Sequence, residues 1–438
     1  MKIIKISILR FFILIFLVLG SIFMKSEAIF GQSTYMKKIN NKVTCFFNFK
    51  AGEEIFGIGN SSGDNGFPKI TNFGKGDTVL WSKYFNTGRP INLPELEDTT
   101  QYFFNNIGFA VNEDTIFSGQ FIYYLEGTDY KPYIFVSKMN TKGDTLGNWK
   151  VSMEKIGFKL LEATSIAIFK NQVVISATVS YPDNIWMYES VLLWFDLDGN
   201  FIETTGNTEG GIFNVGGQLK IGHDGYLYWL SLHSHTTNEN DRSFHLQLNR
   251  FDGSRKKTKF WQSEDFSNCT LNINMEYTLL QDQGFVIRIA NLENMYASTI
   301  NRYDISGSLM WTSTFNDKIK TKVFKKILEM ENGDLLLYGL YNDYFFNIFE
   351  KPQYPIIMAP HVCRMSPDGK ILWERTYIYS YRNSNGNISP PSGNYVLDAI
   401  ECGDGNIYIR VYSPDLIIKT DSNGCIGGEC KKYYELID

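Results

Sequence analysis

The sequence has little of what announces a reaction. Its 438 residues contain no phosphate-binding Gly-x-x-x-x-Gly-Lys loop, no His-Glu-x-x-His and no Gly-x-Gly-x-x-Gly fingerprint, so nucleoside-triphosphate, zinc-peptidase and dinucleotide chemistry have no local signature. An excess of one charge is missing as well. The 42 basic and 47 acidic side chains leave a net charge of -5, too weak a field to gather a polyanion, which argues against nucleic acid as a partner. Six scattered cysteines are too few for a cross-linked scaffold, and their absence between Met1 and Gln32 speaks against a lipid-anchored N-terminus. No Pro- or Ser-rich linker or charge block divides the chain into separate domains.

One long apolar run stands out, from Phe11 to Met24, shorter than the roughly 20 residues that cross hydrocarbon. It follows Lys2, Lys5 and Arg10 and precedes a small, weakly polar stretch, Ser26 to Gly31, which is the order of a secretory signal. Residues 1–31 are expected to be a signal peptide cleaved after Gly31, or alternatively after Ala28. Residues 32–438 are then the exported protein, secreted or on the outer cell surface, with the periplasm as the alternative because no C-terminal sorting domain follows. Composition favours a large core: 43% of the residues are hydrophobic, 15% aromatic and 20% charged. Cys425 and Cys430 flank a short flexible segment with two glycines and are expected to be joined. Cys45, Cys269, Cys363 and Cys402 read as buried thiols, with a second bridge open to any pair the fold juxtaposes.

An internal repeat is the strongest signal, and a repeat changes the whole fold expectation. Arg302-Tyr-Asp-Ile-Ser-Gly307-Ser-Leu-Met-Trp311 aligns with Arg364-Met-Ser-Pro-Asp-Gly369-Lys-Ile-Leu-Trp373 and, more loosely, with the stretch from Trp194 to Ile202 around Gly199. Each reads as strand, turn, strand: a short polar side chain bonds its own backbone while glycine accepts a positive φ. Similar turns at Gly76, Gly143, Gly253 and Gly424 make seven glycines in series, 54 to 67 residues apart. A second hairpin precedes each, seen best at Ile327 to Gly339 and Ala399 to Arg410 and more weakly at Leu219, Leu279 and Ile166. Two hairpins per repeat make a four-stranded blade. Sheets apolar on both faces need neighbours on both sides, so the expected fold is all-β, a single seven-bladed β-propeller with four-stranded antiparallel blades. The segment from Tyr35 to Gly59 supplies either the first blade's inner strands or the strand that completes the last blade.

The Asp-x-x-Gly-x-x-x-Trp hairpin ending at Trp311 and the closing Lys419 to Cys430 resemble the exported propeller-like repeat proteins of Bacteroidetes bacteria, over nearly all of the mature chain. The resemblance implies a propeller and an exported life; its motif is structural and names no substrate.

Candidate chemistry is sparse. His233 and His235 alternate, so on a strand both rings face one side as metal ligands do, but no third ligand accompanies them, and the pair reads as a non-catalytic, polar, exposed loop. Asp196 and Asp198 look like fragments of a calcium loop without its closing acid; they, Asp304, Asp368 and Asp421 are expected to cap turns. Phe121, Tyr123, Tyr124, Tyr130, Tyr133, Tyr341, Tyr344, Phe345 and Phe346 are candidates to stack on sugars, with core packing the weightier reading. Catalytic carboxylates from separate blades would leave no motif. The expectation is a non-catalytic binding or structural module for a surface protein or polysaccharide, monomeric, without cofactor or metal and with no membrane span once the signal is cleaved. Its alternative is a glycoside hydrolase or polysaccharide lyase with acids and an aromatic platform at the central channel mouth.

Overall fold

The computed structural model describes residues 35–437 apart from connecting stretches, the longest being 73–79, 85–102, 235–242 and 344–356. The signal segment lies outside the described residues. Strand β1 (Tyr35–Lys38) is the first described element. The first blade follows, with β2 (Val43–Ala51), β3 (Glu54–Ser61), β4 (Pro68–Asn72) and β5 (Trp81–Tyr84). The second has β6 (Phe103–Asn112), β7 (Thr115–Glu126), β8 (Asp129–Asn140) and β9 (Thr145–Ser152). The third has β10 (Lys159–Phe169), β11 (Gln172–Tyr181), β12 (Asn184–Asp196) and β13 (Phe201–Gly206).

A six-stranded sheet comes next, with β14 (Asn214–Val215), β15 (Leu219–Ile221), β16 (Leu227–Ser234), β17 (Ser243–Phe251), β18 (Lys257–Gln262) and β19 (Phe266–Ser267). The fourth blade has β20 (Met275–Leu279), β21 (Phe285–Asn291), β22 (Ala297–Tyr303) and β23 (Leu309–Phe315). The fifth has β24 (Lys320–Glu329), β25 (Leu335–Asp343), β26 (Ile357–Met365) and β27 (Ile371–Thr376). After β28 (Ile378–Arg382) and β29 (Ile388–Ser389), the sixth blade is built from β30 (Val396–Glu401), β31 (Ile407–Val411) and β32 (Leu416–Thr420), and β33 (Tyr433–Ile437) ends the chain.

The expected count of seven four-stranded blades is therefore corrected: six four-stranded blades are present among the described residues. Counting turn glycines locates hairpins but not strand numbers. Around Gly253 the sheet has six strands because its inner edge is broken at Gly216-Gly217, so that β14 and β15 both pair with β16, while β19 extends the pairing of β17. A Cβ on Gly217 would overlap the Leu230 carbonyl, so only glycine permits that crossing. The tail adds a further departure, since β33 pairs in parallel with β28 to form a three-stranded sheet with β29.

The segment from Tyr35 to Gly59 does both of the things considered for it. Strands β2 and β3 are the inner pair of the first blade, while β1 pairs antiparallel with β32 and completes the sixth. The innermost strands β2, β6, β10, β15, β20, β24 and β30 each neighbour the next, and β2 returns to β30. Strand β1 thus locks the last blade, removing the edge that an open array would expose.

Burial follows from that circle. The apolar clusters straddle consecutive sheets: Phe117 and Ile134 of the second blade pack with Ile175 and Leu193 of the third, and Val286 and Ile300 of the fourth with Leu335 and Met365 of the fifth. Both faces of a blade are covered, as the apolar strand patterns require. The outer strands are instead more exposed: β23 and β27 expose Leu309 and Ile371 at their starts.

The repeated Trp cements the joints. Gly307 and Gly369 hold φ of 82° and 85°, and a Cβ on them would come within 2.9 Å of Trp261 and Trp311 of the preceding sheet; Trp149 and Trp373 lie likewise against Gly199 and Gly424. The indole of Trp311 donates to the Pro367 carbonyl at 3.0 Å and that of Trp373 to the Ser422 carbonyl at 3.1 Å. Arg302 and Arg364 reach the same two carbonyls while pairing with Asp282 and Asp334 of their own blades. Gly253 is a misalignment by two positions: in that hairpin the left-handed residue is Arg255, φ 64°, whose N–H bonds the Asp252 carbonyl as Gly307 bonds that of Asp304. Gly76 lies outside the described residues.

Candidate functional site

Strands β6, β10, β15, β20, β24 and β30 surround a cavity of about 840 Å³ on the ring axis, within the usual size range of ligand sites. One position on the inner strands decides its chemistry. Four residues before the turn that opens at Gly222, Leu280, Met330 and Cys402 stand Gln218, Glu276, Lys326 and Asp398, all lining the cavity. Turn residues repeat because every hairpin needs them. This position changes identity in each sheet, as a single assembled site requires.

Two polar groups result. Glu276, buried to 7% exposure, accepts a short hydrogen bond from Gln218 Nε2 and lies 3.4 Å from Lys220 Nζ. Asp398, similarly buried, accepts from the Tyr338 hydroxyl at 2.6 Å and lies 3.2 Å from Lys326 Nζ. Directly opposite these acids on the neighbouring strands are Arg288 and Arg410, both essentially inaccessible to solvent. Burial lowers the Arg288 pKa to about 10, opposed by the charge of Glu276; burial also lowers Lys325, with Arg288 adding to it. Burial first, and Asp398 second, push the Tyr338 phenol well above its ordinary value, so this hydroxyl stays a proton donor.

Glu329 at the rim is raised by burial, an effect opposed by the Gln281 backbone and His223. It accepts from Gln281 N at 3.0 Å, just as Glu401 accepts from Glu331 N at 2.6 Å. That repetition marks both as joints between blades. Residues Glu276, Asp398, Lys220, Lys326 and Tyr338 were missed because they have no motif; the available signal was the polar residue just ahead of each aligned inner hairpin.

The residues singled out from the sequence sit elsewhere. His233 is in β16 and fully buried, which corrects the expectation of an exposed loop: its ring stacks on His245 at 5.3 Å, and its Nε2 is 2.8 Å from Ser231 Oγ. His235 lies outside the described residues. Asp196, Asp304 and Asp421 cap their turns, each accepting from two backbone N–H groups within 2.9 Å; in the turn of Asp368 that place is taken by Ser366. Hydrogen bonds from Asn200 and Ser306 lower the pKa of Asp196 and Asp304. Phe121, Tyr133 and Tyr341 are buried, while Tyr344, Phe345 and Phe346 lie outside the described residues. One Gly-x-Ser-x-Gly spelling does occur, at Gly59 to Gly63, where Ser61 ends β3 in register with Val43 and Ser62 and Gly63 lie outside the described residues. Among the described residues no cluster of His, Cys, Asp and Glu has the arrangement of a metal site, and no helix is long and apolar enough to cross a membrane. The disulfide between Cys425 and Cys430 is present, Cys363 is a buried thiol, and Cys269 lies outside the described residues.

No family model and no curated protein matches the chain, so the likeness to the Bacteroidetes repeat proteins is supported only as far as a multi-bladed propeller. Solved structures do match. The polysaccharide lyase Uly1 is 10% identical over 90% of this chain and 93% of its own, with a TM-score of 0.47. The β-propeller domain of the Trilobed protease from Pyrococcus furiosus is 10% identical over 91% of this chain and 98% of its own, TM-score 0.41. The GH93 alpha-L-arabinofuranosidase of Fusarium graminearum is 10% identical over 70% and 91%, TM-score 0.42. Enzymes thus recur among proteins with a similar arrangement of sheets, contrary to the expectation weighted against catalysis, which is not retained. What this chain shares with them is a multi-bladed β-propeller layout.

Proposed function

We propose that the chain is an exported glycan-cleaving enzyme whose reaction takes place in the axial cavity. The observation that carries this reading is the convergence, from separate sheets, of Glu276 with Lys220 and Gln218 and of Asp398 with Lys326 and Tyr338. Cleaving a glycosidic linkage by hydrolysis or by elimination needs one group to give a proton and another to take one. Tyr338 and the lysines supply donors, the two carboxylates supply acceptors, and the buried arginines oppose them from the second strands. The basic and apolar order of residues 2–24 and the disulfide of the tail support export to an oxidising compartment.

Purified protein incubated with neutral and uronate-containing polysaccharides should release new reducing ends, with an unsaturated ultraviolet-absorbing product if the step is an elimination. Glu276→Gln and Asp398→Asn should each cut the rate by about a hundred-fold or more with the fold intact by circular dichroism. Cleavage that survives both substitutions would remove the axial cavity from consideration.

A further inference from the structure

A second cavity, of about 280 Å³, lies away from the axis, where the far end of the fifth blade meets the disulfide-closed tail. Lys322 of β24, His361 of β26, and Glu374 and Arg375 of β27 line it together with Cys430. Three buried polar atoms there have no protein partner: His361 Nε2, Glu374 Oε1 and Arg375 Nε. The rest of each side chain is fixed. His361 Nδ1 is 2.9 Å from Thr376 Oγ1, Glu374 Oε2 accepts from Lys322 at 2.6 Å, and the Arg375 guanidinium donates to the Glu374 carbonyl at 2.9 Å and to Cys430 Sγ at 3.5 Å. Leaving three such atoms buried costs free energy unless something bonds them.

We propose that this cavity is a binding site for one neutral sugar ring. The carboxylate oxygen needs a donor, the guanidinium N–H needs an acceptor, and the imidazole nitrogen takes either part; adjacent hydroxyls, each donor and acceptor at once, meet all three. Burial, with Lys322 adding, holds the His361 pKa down to about 3, so the ring is neutral in use. The volume is close to the lower limit of ligand sites at roughly 300 Å³, room for a single ring and not for a chain. Glu374 already carries one ammonium partner, and its second carboxylate oxygen needs a donor, which a sugar hydroxyl supplies and a sugar carboxylate does not. The Cys425–Cys430 bridge closes the turn from Ile426 to Glu429 and so fixes Cys430 as one wall.

D-glucose, D-galactose and D-glucuronate titrated against the oxidised full-length protein should separate the outcomes, read on the His361 imidazole by NMR. A neutral sugar is expected to shift that signal saturably, with glucuronate binding more weakly. Glu374→Gln should weaken binding by about ten-fold or more, reduction of the disulfide by a dithiol should weaken it too, and Glu276→Gln should leave it unchanged. No saturable shift with any sugar would mean that water alone fills the cavity. A shift abolished by Glu276→Gln would mean that sugar acts from the axis. Either result overturns the proposal, and neither decides whether the axial cavity is catalytic.

Discussion

The joint between the third blade and the six-stranded sheet is built differently from the joints after it. In the fourth and fifth blades a cation stands opposite a tryptophan, Arg302 opposite Trp311 and Arg364 opposite Trp373, and the indole covers the next hairpin glycine. In the third blade the pair is Trp194 opposite Glu203. The indole has moved to the inner of the two strands, where it is fully buried and packs edge-on against Phe251 across the joint, ring centroids 6.0 Å apart. Glu203 then has no glycine to cover; Arg255 stands in that place and meets it at 3.2 Å. Three positions have changed together on two sheets. One geometric task, closing a wedge between twisted sheets, thus has an apolar solution and a half-exposed ionic one, and the apolar material of the ionic joint lies deeper, among Ala167, Leu219, Leu227 and Trp229.

That contrast can be broken from the apolar side first. Trp373→Ala removes a half-buried indole, its bond to the Ser422 carbonyl and its contact with Arg375; a loss of about 3 kcal/mol is expected in urea unfolding, and a loss below about 1 kcal/mol would show that the joint does not depend on it. Gly369→Ala forces a Cβ toward Trp311 at a φ of 85°. The left-handed backbone alone is expected to cost about 1 to 2 kcal/mol and the clash adds to it; adding Trp311→Ala should relieve the clash and leave the backbone part, because only the steric part requires the indole. Converting two of the three differing positions to the common form, Glu203→Trp with Arg255→Gly, should stabilise the chain by about 1 kcal/mol, since it relieves a left-handed arginine and places an indole over the glycine. Glu203→Trp alone should fail, the arginine occupying the space; if it stabilises as much as the double change, the exchange was not coupled.

How far the sequence could disclose this depends on whether a feature is local. The Asp304 and Asp421 turns and the Cys425–Cys430 bridge were legible because the residues that make them lie within five positions of one another. The broken inner strand at Gly216-Gly217 was not, because its cause is an approach to the Leu230 carbonyl in another strand. Likewise the pairing of β1 with β32 joins residues far apart in the chain, so no local pattern in Tyr35–Lys38 says which sheet receives it. The axial site failed for the same reason: Glu276 and Asp398 stand in repeats separated by a whole blade, and only ring closure brings their strands to one cavity. His233 shows the opposite error, a polar loop inferred from Ser and Thr neighbours where the register with His245 buries the ring.

The smallest expected effect tests whether the third joint is ionic in energy as well as in composition. The Glu203 and Arg255 side chains remain 44% and 28% exposed, so solvent already screens them and the pair contributes no more than about 0.5 kcal/mol. Salt should remove that contribution as the screening length falls from about 10 Å near 0.1 M to about 3 Å near 1 M. The stability difference between the wild type and Glu203→Gln, measured by urea unfolding, should therefore shrink toward zero across that range. The difference between the wild type and Trp373→Ala should persist, because apolar cover and a hydrogen bond between uncharged groups depend little on mobile ions. Subtracting one series from the other cancels the general effect of salt on folding. If both differences fall together, or the Glu203→Gln difference is independent of salt, the two joints are held by the same forces and the ionic pair is only a spacer.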